Sequence, residues 1–363
     1  MKPNNYFKVL LSFLLIISID SYAQLNLPRG SQQATVSQRI GISDIYVKYA
    51  RPSVKKREVW GKLVPYGMNN LNFGTAKESP WRAGANENTI IKFTTDATVE
   101  GKSLKAGKYG LHMIIHNNDK ATIIFSKNNS AWGSYFYKPN EDVLRVDVNM
   151  TAIPHEEQLT YDFTDVTKNS AVLSLKWGKK QVPMKIGVDV TKVVLADVRK
   201  KLESQAGFNR QSWEQAANFS MNNGGDLNEA LGWINNAISG QFYSQKTFRN
   251  VGIKAQILNK LGKKDEYSKM IDEAASMANT AQLNRLGYAM INSKDYARAI
   301  KFMQLNVDKN SKSANAYDSL GEAYKAAGDK KKAIKALKKA LTLNPAANVK
   351  KNSEKLLKEL GAM

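Results

Sequence analysis

Residues 181–200, QVPMKIGVDVTKVVLADVRK, change their hydrophobic period midway. Val182, Met184, Ile186, Val188 and Val190 alternate with Pro183, Lys185, Gly187 and Asp189. That is the period of two of a strand with one buried face. From Thr191 onward the apolar residues recur at about 3.6, the helical period. The expectation is a two-domain chain, all-β and then all-α, with its boundary close to Val190.

Upstream, the period of two dominates from Ala34. Ile45, Val47 and Tyr49 alternate with Tyr46, Lys48 and Ala50, and Leu144, Val146, Val148 and Met150 with Arg145, Asp147 and Asn149. Leu159, Tyr161 and Phe163 follow the same rule. Turn signals at Glu100-Gly101, Ala106-Gly107, Asn117-Asn118-Asp119 and Gly178-Lys179 separate the runs. Nine or ten short strands without a helix predict an antiparallel β-sandwich or jelly roll over residues 27–190.

Downstream, Tyr317, Leu320, Gly321, Tyr324, Ala333, Leu337, Ala340 and Pro345 resemble a tetratricopeptide repeat at every signature position. Gly321 and Ala333 are small where two helices cross, the larger side chains fill the groove, Ala340 admits the next repeat, and Pro345 stops the second helix. Leu286, Gly287, Ala299 and Met303 stand 34 residues earlier, and Ala255, Leu258, Gly262, Tyr267, Ile271 and Ala274 fit a shorter copy. Trp213, Ala217, Ala230, Ile234 and Ala237 fit a degenerate first copy. The reading is a connecting helix at 191–207, about four repeats at 208–347 forming an α-solenoid, and a capping helix at 348–363. Such stacks imply a protein or peptide partner.

The 363 residues carry 54 Lys and Arg against 32 Asp and Glu, a net charge of +22, with three His and no Cys. Zero Cys excludes a disulfide framework, zinc–thiolate sites and a cysteine nucleophile. The charge points toward nucleic acid until the N-terminus is read. Lys2 and Lys8 flank a short polar start, and an apolar run at residues 9–19 follows, then Ser21-Tyr22-Ala23. This has the form of a secretory signal cleaved after Ala23, and its run is too short to span a membrane. Export to the periplasm or beyond argues against a nucleic-acid partner. The lysines at 330–332, 335, 338 and 339 suit either a solvated face or an acidic partner.

The uncommon residues cluster in the β half, in the segments RPSVKKREVWGKLVPYG, WRAGANENT, LKAGKYGLHMI, FSKNNSAWGSY and EDVLRVDV. These words resemble a bacterial, often exported, domain-of-unknown-function family numbered twenty-nine-eleven. The resemblance implies a fold and no activity. Residues 68–80, MNNLNFGTAKESP, insert a polar stretch between words that lie nearly adjacent in that family.

Trp81, Arg82, Asn86, Glu87, His112 and Trp132 are the candidate ligand residues, with aromatic faces for stacking and polar groups for oriented hydrogen bonds. A small molecule or glycan is the natural ligand class. In the structural alternative Arg82 pairs with Glu87, Asn86 caps a turn and the Trp rings plug the sandwich. His112 and His116 share a strand face but stand about 13 Å apart, too far to chelate one ion. No catalytic word, metal set or cofactor motif is present, so the leading expectation is a non-catalytic binding protein. The alternative is a cell-envelope enzyme, such as a glycan hydrolase, using Glu87.

Overall fold

A computed structural model describes residues 27–363, and the signal-peptide reading lies outside the described residues. The chain separates into two compact units, one ending at Val190 and one beginning at Thr191.

The first unit is all-β. Its strands are β1 (Gln32–Ile40), β2 (Ser43–Arg51), β3 (Thr89–Phe93), β4 (Ala97–Val99), β5 (Lys102–Leu104), β6 (Gly107–Ile115), β7 (Lys120–Ser126), β8 (Asp142–Asn149), β9 (Thr151–Thr164) and β10 (Ser170–Gly187). They form two antiparallel sheets, ordered β1-β2-β3-β6-β7-β8 and β5-β4-β10-β9. Gly41, at φ +61°, opens the two-residue turn between β1 and β2.

The core lies between the sheets. Ile45, Val47 and Tyr49 of β2 and Ile91 and Phe93 of β3 are buried, as are Leu159 and Tyr161 of β9 and Leu173, Leu175 and Trp177 of β10. The Tyr49 hydroxyl accepts a hydrogen bond from the Tyr161 amide at 3.1 Å, so the sheets are joined by polar as well as apolar contacts.

Strand β6 departs from simple alternation, being buried on both faces from Tyr109 to Ile115. Its second face is covered by added chain: Met68, Ala76 and Tyr137 pack with Ile114 and Ile124. The expected turn at Gly178-Lys179 is corrected. Gly178 lies inside β10 at φ +58°, where the β9 register shifts on both sides. A glycine in the left-handed region makes a bulge here, and the strand continues past it.

The second unit contains ten α-helices among the described residues: α1 (Val190–Leu202), α2 (Arg210–Asn222), α3 (Leu227–Ser239), α4 (Phe248–Lys260), α5 (Lys264–Met277), α6 (Thr280–Asn292), α7 (Tyr296–Lys309), α8 (Ala314–Ala326), α9 (Lys330–Leu341) and α10 (Ala347–Glu359). Side-chain caps set many of the starts. Asp226, Asp295, Ser313 and Asp329 each accept from a first-turn amide, and Thr247 and Asn279 form reciprocal capping boxes.

Helices α2 to α9 pair as four successive hairpins, and the crossings explain the small residues. A Cβ on Gly287 would stand 2.6 Å from Met303 Cγ, and one on Gly321 would stand 2.6 Å from Leu337 Cγ. Ala299, Ala333 and Ala340 are fully buried, while Tyr317 and Tyr324 pack against the shared core. Helix α9 ends at Leu341, four residues before Pro345, where a continuing helix would drive a carbonyl into the proline ring.

Candidate functional site

The sequence-nominated residues of the β-unit enter three separate environments. Trp81 is fixed by the backbone: its amide donates to Met113 O and its carbonyl accepts from the Met113 amide, both at 2.8 Å. Its indole stacks on Trp177 with centroids 6.0 Å apart, and Trp60 meets both rings edge-on. Trp60 Nε1 donates to Trp177 O and Trp81 Nε1 to Gly84 O, each at 3.2 Å. The bulge at Gly178 directly follows Trp177 and brings the β10 backbone beside Val59 and Trp60.

Trp81, Arg82 and Asn86 share one wall of an open cleft of about 510 Å³. Arg82 Nη1 donates to Asn86 O at 2.7 Å, and its guanidinium lies 4.9 Å from the Tyr135 ring centroid. Asn86, at φ +58°, sends its side-chain amide to Ser31 O at 3.2 Å. The loop is held from within by Arg82 and tied to Ser31 by Asn86, and Arg82 does not pair with Glu87. Arg57, Ser134 and Trp177 complete the cleft, and sequence reasoning did not select them. Trp177 is 2% exposed and its Nε1 has no hydrogen-bond partner, a buried donor facing an unmet cost.

Part of the inserted stretch 68–80 also lines the cleft. Asn69 and Ser79 exchange backbone hydrogen bonds at 2.9 Å, closing the insertion on itself. The amides of Thr75 and Ala76 both donate to Tyr135 O at 3.1 Å, and Ser79 Oγ donates to Ser134 O at 2.8 Å. Phe73 meets Tyr135 edge-on. The insertion thus docks on the Trp132–Tyr135 word, and its Asn69, Asn70, Leu71 and Pro80 line the cleft.

Glu87 lies elsewhere. It pairs with Arg29 and lines a smaller hollow of about 240 Å³ beside Asn88, Lys48 and Lys108. Burial pushes its carboxyl up, but hydrogen bonding to its own backbone and the Arg29 charge carry it below the ordinary value. Trp132 is 47% exposed, with the Arg29 guanidinium 5.4 Å from its ring centroid.

His112 is enclosed. It is 2% exposed, meets Tyr137 edge-on, and shares a 2.9 Å hydrogen bond from Nδ1 with Ser134 Oγ. Burial, then the Arg82 charge, lower its pKa to about 4, so the ring is neutral across the physiological range. Tyr137 donates to Asp142 Oδ2 at 2.7 Å, and burial ahead of Asp142 raises its phenol above the ordinary value. The structure does not gather Arg82, Glu87 and His112 into one open cleft. Among the described residues no group of three or more His, Cys, Asp or Glu is placed to hold a metal ion, and no helix is long and apolar enough to cross a membrane.

In the helical unit a polar ladder ties the first helices of the last two hairpins to the terminal helix α10. Tyr288 of α6 donates to Glu322 of α8 at 3.1 Å, and Asn352 of α10 donates to Glu322 at 2.7 Å and to Asp318 at 2.9 Å. Ser353 also donates to Asp318, which is buried. Burial, more than Glu322, raises the Tyr288 phenol to about 12, so it remains a donor.

Residues 31–186 match the family model described as "Protein of unknown function (DUF2911)", and residues 314–346 match a tetratricopeptide-repeat model. No curated protein matches the chain. Among solved structures it is similar to the C-terminal part of a TPR repeat-containing protein from Cytophaga hutchinsonii, at 17% identity over 42% of this chain, with a TM-score of 0.33. The matched part spans 60% of that chain. It is also similar to YrrB, titled a TPR protein with an unusual peptide-binding site, at 17% identity, 46% of this chain, 84% of that one and a TM-score of 0.31. MamA matches at 18% identity over 47% of this chain and 92% of its own, with a TM-score of 0.32. The first unit thus resembles the DUF2911 family over nearly its whole length, and the helical unit that follows it carries tetratricopeptide repeats.

Proposed function

We propose that this chain is an exported, non-catalytic interaction protein of the periplasm or extracellular space. Its repeats engage a protein partner, and its β-unit holds a small hydrogen-bonding ligand, a glycan being the chemistry that fits best. The observation that carries the reading is the repeat stack. Tyr288, Glu322 and Asn352 hold α6, α8 and α10 side by side. That alignment leaves residues such as Ala281 and Asn315, one helical heptad before Tyr288 and Glu322, exposed on a shared face. Such a face is the interaction surface of repeat solenoids.

The ligand reading rests on the cleft at Trp81, Arg82 and Asn86, where aromatic side chains, Trp177 among them, line the cleft together with a hydrogen-bonded polar loop. The hydrolase alternative requires Glu87 with Arg82 or His112 in one cleft, and no observation favours it.

The test is affinity capture of envelope proteins on the mature chain, compared with the double variant Ala281→Arg/Asn315→Arg. Loss of a specific partner from the double variant supports the reading. Equal recovery by both proteins contradicts a partner on the first-helix face.

A further inference from the structure

A hollow of about 620 Å³ lies on the last repeat, between α7 and α9. It is distinct from the face that carries Ala281 and Asn315. Tyr317, Leu320 and Tyr324 of α8 and Ala336 of α9 give it an apolar lining, Gln304 of α7 stands at one side, and Lys332, Lys335, Lys338 and Lys339 stand along the other. Leu320 and Ala336 are buried, the two tyrosines are half-buried, and the four lysines are exposed.

The charges at the rim are unevenly matched. Lys332 pairs with Asp329 at 2.9 Å and lies 5.5 Å from the Tyr324 ring centroid, so it is already engaged. Among the described residues no carboxylate lies within ion-pair distance of Lys335, Lys338 or Lys339, and Gln304 spends its side-chain amide on Asp308 at 2.8 Å. Three uncompensated ammonium groups therefore border an apolar depression in a chain whose net charge is +22.

We propose that this hollow seats an acidic amphipathic segment of a protein partner. A bulky apolar side chain would rest on Tyr317 and Tyr324 while flanking carboxylates meet Lys335, Lys338 and Lys339. Dimensions favour this occupant. The volume falls within the range of about 300–1,000 Å³ that accepts a compact organic group, room for one or two large side chains. The lysines from 332 to 339 extend along about 10 Å of helix, matching a two-turn peptide better than a single carboxylate. Charge disfavours a second copy of this chain. A flat anionic bilayer could meet the lysines but would leave the hollow unfilled, at odds with its apolar lining. The inference goes beyond the partner reading above, since it concerns another surface and stands or falls separately.

The experiment is selection of binders from a random dodecapeptide library on the intact mature chain, followed by titration of the recovered peptides. Three proteins are compared: the wild type, Lys335→Glu/Lys338→Glu/Lys339→Glu, and Gln304→Trp, which crowds the hollow without changing charge. All substituted positions are at least partly exposed, and circular dichroism checks that the helices persist. The expected peptides carry Asp or Glu spaced three or four residues apart around Phe, Trp or Leu. Their affinity falls by about tenfold or more on the charge-reversed variant and weakens with added salt. It also falls on Gln304→Trp. Failure to recover acidic binders, or affinities unchanged by both variants, overturns the proposal. So does a result in which vesicles of phosphatidylglycerol bind through the same lysines and acidic peptides do not.

Discussion

Gly321 and Leu337 approach so closely at the crossing of α8 and α9 that a Cβ on the glycine would lie 2.6 Å from Leu337 Cγ and 2.7 Å from Cδ2. Leu337 is fully buried and has no room to withdraw. In Gly321→Ala, the helix-propensity gain of about 1 kcal/mol is outweighed by overpacking of about 1–3 kcal/mol. A fall in melting temperature of about 3 °C is expected for a unit of this size. The Leu337→Ala background removes the collision, so adding Gly321→Ala there should cost little or nothing. Calorimetry of the four proteins measures the cycle, and strict additivity would refute the packing account.

His112 sets a pH dependence through its burial. Its folded pKa of about 4 lies below the ordinary 6.5, so the unfolded chain binds a proton between those values that the folded chain refuses. The contribution is present above pH 6.5 and is lost as pH falls toward 4, by up to about 3 kcal/mol. Urea unfolding at pH 7 and pH 4 should show a steeper loss for the wild type than for His112→Gln. Parallel losses would remove His112 as the titrating group.

Asp318 holds the terminal helix. It accepts from Asn352 and Ser353, both on α10, so Asp318→Ala leaves the buried Ser353 hydroxyl without this acceptor, while Asn352 keeps Glu322. The cost is about 1–3 kcal/mol, concentrated where the bonds are lost. Hydrogen exchange across residues 347–359 should accelerate by about tenfold or more, with the amides of α2 and α3 unaffected. Uniform acceleration throughout the helical unit would show that α10 does not open locally.

Arg82 depends on the glycine opposite it. Gly133 sits at φ +60°, and an added Cβ would lie 2.4 Å from Arg82 Nη1. Gly133→Ala therefore adds backbone strain and displaces the guanidinium from Tyr135 and Asn86. Arg82→Lys keeps the charge but loses the planar stack and fork. Both variants should alter the near-ultraviolet circular dichroism of the aromatic cluster and lower stability by about 1 kcal/mol. Unchanged spectra would detach Arg82 from the wall of the cleft.

How much of this is legible in sequence follows from the range of the interactions. Gly321, Ala333 and Leu337 declare a helix crossing because the contacts lie within one repeat at fixed spacing. Trp81, Arg82 and Asn86 are legible as a cluster because they are contiguous. Ser134 and Trp177 are not, since they join that cleft from a remote turn and a remote strand. Arg29 captures Glu87 across 58 residues, which local spacing cannot show. Gly178 reads as a turn because a bulge and a turn make the same demand for positive φ. His112 lies on a strand whose period of two implies one wet face, and Tyr137 and the residue 68–80 insertion cover that face instead.

The central claim, that the repeats engage a protein partner, is tested most directly by photo-crosslinking in living cells. A benzoylphenylalanine is placed singly at Ala281, at Asn315 or at exposed Lys102 on β5. The account predicts a discrete protein adduct from Ala281 and Asn315, found in the exported fraction, and none from Lys102. Adducts from Lys102 alone, or from none of the three, would contradict it.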